Sequence, residues 1–270
     1  MTMKKTLRAA GLAGFLATTL FTSAAHALVT DWGYNITSSF SAATFTSGSP
    51  FAGSANSLSW GDGAQSSLVI GNNSATGSVQ TYLGGGLPPA AAPYLGFSTS
   101  LTHNNKPITG QSLKTATLTN TVNLTSSSGG FAQVVPFQIM FAETTNSTPC
   151  AVTGSPTPCN DIFVLSSGLL NFAFQYDDDA NGVFDTYFVN IFPVTGGVLN
   201  ILPAGVCAAA DAGSGCVGFT TPENANTTLR FGFTISSEPL SVPEPGILGL
   251  LGLGLLGAFV SRRQSSRKAG

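Results

Sequence analysis

Chemistry in a protein chain needs nucleophiles, titratable groups or metal ligands at workable spacing, and this chain supplies few. Between Leu28 and Leu240 there is one histidine, His103. A Ser-His-Asp arrangement would have to use it, and no G-x-S-x-G elbow accompanies it. Histidine-rich metal sites are excluded within one chain. Four cysteines stand in the same stretch: Cys150, Cys159, Cys207 and Cys216, eight residues apart within each pair. That spacing is not the short spacing of zinc ligands, and no histidine lies close by. Both intervening segments are rich in Gly, Pro, Ser and Ala and read as loops. An even cysteine count in an exported chain reads as disulfides, for which three connectivities exist. Pairing Cys150 with Cys159 and Cys207 with Cys216 is the expectation, because each bridge then staples one loop locally.

Asp177-Asp178-Asp179-Ala180-Asn181-Gly182 is the densest acidic run. Asp177, Asp179, Asn181 and Asp185 hold positions one, three, five and nine of a calcium loop, with Gly182 at six. Phe188 stands where such a loop needs its Glu, and the flanks read as strands. The expectation is a polar hairpin tip turning at Asn181-Gly182, with weak calcium binding or none. Gly252-x-Gly254-x-x-Gly257 matches a dinucleotide fingerprint in form only. It lies in an apolar run with no strand–turn–helix context. Carboxylate pairs for glycoside hydrolysis are available in composition, and no particular pair is singled out. Trp32, Trp60 and Tyr94 are either core residues or aromatics on which a sugar ring could stack.

The elements that must position these residues are strands. Ala116, Leu118, Val122 and Leu124 alternate with Thr115, Thr117, Thr119, Thr121 and Asn123. The same period of two runs through Phe137, Ile139 and Phe141, through Phe172, Phe174 and Tyr176, and through Tyr187, Val189 and Ile191. It recurs in Leu229, Phe231, Phe233 and Ile235. Such alternation buries one face and wets the other. Turn clusters such as Gly61-Asp62-Gly63, Gly71-Asn72-Asn73, Gly84-Gly85-Gly86, Ser128-Gly129-Gly130 and Asn181-Gly182 separate the runs. Roughly ten short strands predict an all-β fold, a jelly-roll-like β-sandwich over 28–240. No helical period appears outside the two ends.

Those ends carry addresses. Residues 1–27 read as a signal peptide: Lys4, Lys5 and Arg8, then an apolar helix from Ala9 to Phe21, then small residues closing on Ala25-His26-Ala27, with Ala25 and Ala27 as the cleavage signature. Residues 241–270 hold Val242-Pro243-Glu244-Pro245, an apolar run from Gly246 to Val260, and Arg262, Arg263, Arg267 and Lys268. The basic end stays cytoplasmic. As a short transmembrane helix the run spans roughly 20 Å, less than the ~30 Å hydrocarbon core, which suits a processing signal better than an anchor. Between the ends only Lys106, Lys114 and Arg230 are basic, against eleven acidic residues, a net charge near −8. So acidic a passenger repels phosphates, and nucleic-acid binding is not expected.

The Pro-Glu-Pro motif, the apolar run and the basic end together resemble the PEP-CTERM sorting signal. The resemblance implies an exosortase-type membrane protease as partner, which removes the tail, and a Gram-negative bacterium that makes exopolysaccharide. The precursor is then held in the inner membrane before release to the surface or extracellular matrix. In the passenger, Leu101-Thr102-His103-Asn104-Asn105-Lys106-Pro107-Ile108 looks like the signature of the THxN family of such proteins, with Thr102, His103 and Asn105 as the motif residues. Ser59-Trp60-Gly61 followed by Ser66-Ser67-Leu68 is similar to choice-of-anchor surface domains. That family implies no activity. The motif residues read as a hydrogen-bonded turn at a strand end.

The combined expectation is a non-enzymatic, exopolysaccharide- or biofilm-associated surface protein that needs no cofactor. The alternatives are a carbohydrate-binding module and a carboxylate-dependent secreted hydrolase.

Overall fold

The computed structural model describes residues 28–46, 53–153, 159–165, 170–178, 181–194 and 199–241. The signal helix over 1–27 and the transmembrane helix after 241 therefore lie outside the described residues. Within them, no helix is long and apolar enough to cross a membrane.

Threonine-rich runs with apolar residues at every second position form long strands, because β-branched side chains fit a pleated surface. One sheet is built from β12 (Asn200–Ile201), β13 (Val217–Thr221), β9 (Asp161–Leu165), β8 (Gly129–Ala142), β7 (Leu113–Ser126), β1 (Asp31–Phe45) and β5 (Ser74–Tyr82), in that order. The other runs β11 (Asp185–Pro193), β14 (Asn226–Ser236), β6 (Gly96–Asn104), β4 (Ser66–Gly71), β3 (Ser57–Trp60) and β2 (Gly53–Ser54). There β10 (Phe172–Tyr176) pairs with β11. A short parallel contact, Ile235 with Thr81 and Ser236 with Tyr82, joins the sheets.

The expected sandwich is all-β and its inner faces are those the alternation marked. Phe137 of β8 stacks on Phe231 of β14 across the interior at 6.2 Å. Trp32 of β1 meets Phe174, Tyr176 and Tyr187 edge-on at 5.1–5.8 Å. Removing a buried aromatic of this kind costs about 3–5 kcal/mol. Jelly-roll connectivity is not what the pairing shows. Strands β7, β8 and β9 follow one another as a meander within one sheet, a tight turn after Ser126 joining the first two and a long, disulfide-closed connection joining β8 to β9.

One short helix interrupts the β pattern, α1 (Ala204–Ala209), where the sequence gives no helical period. It is too short to show one. Its Val206, with Ala210 just beyond its end, packs against Ile162 and Val164 in a second, smaller core. This is why all of β9 is buried: Phe163 and Leu165 face the main core, and Ile162 and Val164 face α1.

Candidate functional site

The expected local disulfides are both present, Cys150–Cys159 and Cys207–Cys216. The first closes the connection between β8 and β9. Glu143 stands at one end of that connection, just past β8, and Asp161 at the other, opening β9. The antiparallel register pairs Ala142 with Ile162, so the chain brings Glu143 level with Asp161. On the other side of β9, Thr221 pairs with Asp161, and β13 then turns through Pro222 and Glu223. Three neighbouring strand ends thus deliver three carboxylates to one place, at the lateral spacing of a sheet. One oxygen from each of Glu143, Asp161 and Glu223 lies within 4.8 Å of the others.

The cluster is shielded. Asp161 is 1% exposed. Its Oδ1 accepts the Thr144 amide at 2.9 Å, while its Oδ2 is buried and receives no donor. Glu143 Oε2 accepts the Trp60 indole N–H at 3.1 Å, and Oε1 receives no donor from outside the cluster. Glu223 is only half-buried as a residue, yet both its carboxylate oxygens are shut off from water and unpaired. Among the described residues no lysine or arginine pairs with any of the three. Lys114 bonds Asp211 on the surface at 3.0 Å.

Burial first, and then the neighbouring Glu143 charge, pushes Asp161 up to about 9. Glu223 rises to about 7 for the same two reasons. Burial also raises Glu143, against hydrogen bonds from Trp60 and Asp161 that favour its charged form. Near neutral pH Asp161 therefore keeps its proton and donates it to Glu143. Such a cluster can share protons or hold a cation. An acid–base pair acting on an external substrate has to face it, and Asp161 does not.

Two of the three motif residues act as supports for this cluster. His103 is fully buried on β6, stacked on Trp60 at 5.8 Å with Phe141 edge-on at 5.0 Å. Both imidazole nitrogens lack a partner, and burial lowers the pKa of His103 to about 3. It is a neutral wall behind the tryptophan that holds Glu143. Asn105 is also fully buried. Its amide N–H donates to the Thr221 carbonyl at 2.9 Å, and its backbone N–H donates to the Ala225 carbonyl at 2.9 Å. Asn105 thereby clamps the turn that carries Glu223. Thr102 stands apart, its hydroxyl against that of Thr228 at 2.9 Å on the exposed face.

Other expected site residues do not join the cluster. Asp177 uses both carboxylate oxygens on backbone amides of its own turn, Asn181 at 3.2 Å and Gly182 at 2.8 Å. Asn181 Oδ1 accepts the Val183 amide at 2.7 Å, and Gly182 takes φ +85°, so the tip is a self-bonded hairpin end. Asp179 lies outside the described residues. The sugar-stacking reading of the tryptophans is overturned: Trp32 is 0% and Trp60 1% exposed, both inside the core. Trp32 donates to Thr81 Oγ1 at 2.9 Å, which satisfies its polar handle. Tyr94 is half-buried against Tyr82.

Sequence reasoning missed the carboxylates. The available signal was Asp161 heading an unbroken apolar run, Ile162 to Leu165, where an acid must find a partner. The remaining expected residues, Val242 to Pro245 with Arg262 and Arg263, lie outside the described residues, as do Ala25 and Ala27. For the C-terminal residues the comparison with known proteins decides. Residues 241–264 match the PEP-CTERM protein-sorting motif. The match begins where the described domain ends and does not reach the passenger, so it shows neither the THxN nor the choice-of-anchor resemblance. No curated protein matches the chain. The motif marks an exported protein sorted to the cell surface and processed by an exosortase.

Proposed function

We propose that this protein is a non-enzymatic component of the cell surface or extracellular matrix, associated with exopolysaccharide and released from its tail by an exosortase. The observation that carries the reading is the sorting motif at 241–264 placed directly after the last strand of a disulfide-stapled sandwich. A non-enzymatic role is supported by the placement of His103, walled in by aromatics, and by the shielding of the carboxylate cluster.

The tail itself supports cleavage over anchoring. An anchor needs about 20 apolar residues and few glycines. The run from Gly246 to Val260 is shorter and carries Gly246, Gly249, Gly252, Gly254 and Gly257. Proline on both sides of Glu244 disfavours helix at that point of the sequence, which suits a segment that a protease has to reach. The Gram-negative inner membrane holds the precursor by Arg262 and Arg263 until the cut.

Intact mass spectrometry of protein from native cells and medium tests this. The expected mature species starts at Leu28, ends near Pro243–Pro245 and has all four cysteines oxidised. Replacing Glu244 with Ala, or deleting Arg262 and Arg263, leaves uncut precursor in the inner membrane. Wild-type protein that still carries Arg262 to Gly270 at full abundance overturns the reading.

A further inference from the structure

We propose that Glu143, Asp161 and Glu223 form a calcium site that ties the ends of β8, β9 and β13 together. The inference is independent of the sorting reading.

Three carboxylates without a paired lysine or arginine are costly to bury, and apolar packing does not explain their convergence. Clustering alone would be weak ground. The decisive observation is the Asp161 side chain, 99% buried by its 1% exposure. Thr144 fixes one of its oxygens, so the other is the one left for the cluster, buried and with no partner outside it. Glu143 is held in the same manner, Trp60 taking one oxygen and leaving the other with nothing but the Asp161 carboxyl to face. Each first oxygen is thus an orientation device and each second one a free ligand. This arrangement of hydrogen-bonded carboxylates is how metal sites fix their ligands.

The donor set selects the ion. All three ligands are hard anionic oxygens, without sulfur or imidazole, which suits calcium or magnesium rather than zinc. Calcium takes oxygens at 2.3–2.6 Å, so two ligands on opposite sides stand about 5 Å apart. The three carboxylate oxygens all lie within 4.8 Å of one another, inside that diameter. Magnesium demands near-ideal octahedral geometry and keeps its waters, which suits a dry, partly closed cluster less well than calcium's flexible coordination does. Binding calcium displaces the proton that Asp161 shares with Glu143, so the ion and the proton compete for one place. The fold adds supports on every side: Cys150–Cys159 closes the loop between two of the ligands, and Asn105 clamps the turn carrying the third.

The test uses the exported, oxidised protein, stripped with chelator and then titrated with calcium chloride by calorimetry and thermal unfolding. The expected result is one calcium per chain and a Tm rise of about 5–10 °C at about 100 times Kd. Magnesium at the same concentration gives a shift less than about half as large. Asp161→Asn keeps a hydrogen-bond donor toward Glu143 and loses the calcium shift. Glu223→Gln, on a half-exposed turn, loses it as well and serves if the first variant does not fold. Asp177→Asn, in the hairpin tip, keeps the full shift. A wild-type Tm that does not move in millimolar calcium overturns the proposal and leaves a proton-sharing cluster. A shift that survives in Glu223→Gln, or that disappears in Asp177→Asn, also overturns it by placing the ion elsewhere.

Discussion

Replacing His103 with Phe isolates one buried group's contribution to acid sensitivity. The imidazole lies between Trp60 and Phe141 with both nitrogens unpartnered. Its pKa falls from 6.5 to about 3 on folding, because burial penalises the charged form. The unfolded chain binds the proton more tightly, so stability is intact above the unfolded value and is lost as pH falls below it. At about pH 5 the unfolded histidine is about 1.5 pH units below its ordinary value. Each unit is about 1.4 kcal/mol, so acidification from about pH 7 costs about 2 kcal/mol. That figure hardly depends on how far below 5 the folded value lies. Phe keeps the ring stacking and cannot take a proton. The carboxyl cluster titrates in both proteins and cancels in the comparison, since His103 is not among the causes of its shifts. Urea or thermal unfolding of the two chelator-treated proteins at both pH values gives the answer. The wild type should lose about 2 kcal/mol more than His103→Phe, or about 4–8 °C in Tm for a domain of this size. At about pH 7 the variant should equal or exceed the wild type by up to about 1 kcal/mol, because two unsatisfied polar atoms are gone. Parallel pH profiles, or a variant that is several kcal/mol less stable at neutral pH, would refute the reading of His103 as a neutral wall.

Asn105→Ala leaves the Thr221 carbonyl without its donor and loosens the Glu223 turn, and unfolding should show a loss of about 2–3 kcal/mol with unchanged disulfides. In the cation-free protein Asp161, with its pKa raised from 3.8 to about 9, holds more protons folded than unfolded in that window. Its stabilising effect is therefore full below about pH 4 and declines toward pH 9, and Asp161→Asn should flatten that decline in unfolding measurements. Replacing Cys207 and Cys216 with Ser opens a loop of sequence separation 9 around α1 and should cost about 2–3 kcal/mol by denaturant midpoint. Gly61 takes φ +95°, and a Cβ there would sit 2.6 Å from Ile108 Cβ, so Gly61→Ala should lower stability by about 1–3 kcal/mol and shift Trp60 fluorescence.

Much of this protein is legible one residue at a time. The sorting tail and the all-β class depend on charge order and on the period of two, which are local properties of a chain. Leu118, Val122, Phe137 and Ile139 announce their buried face because alternation is fixed by backbone geometry, whatever the partner strand. The local disulfides follow from loop composition on the same ground. Trp32 and Trp60 were ambiguous, since a tryptophan in a strand reads the same whether its face meets a second sheet or solvent. The choice between them is made by Phe174, Tyr187, Phe141 and His103, which arrive from distant strands. Strand order also escapes the sequence: period-two runs tell which face is inward but not which strand lies beside which, so the meander β7–β8–β9 was not foreseen. The carboxylate cluster depends on that order entirely. Glu143, Asp161 and Glu223 sit in unremarkable turns and at a strand start, and no spacing relates them. Only the register of β8, β9 and β13 brings their oxygens together, and only tertiary packing, with Trp60 against Glu143, buries what would otherwise be three ordinary surface acids.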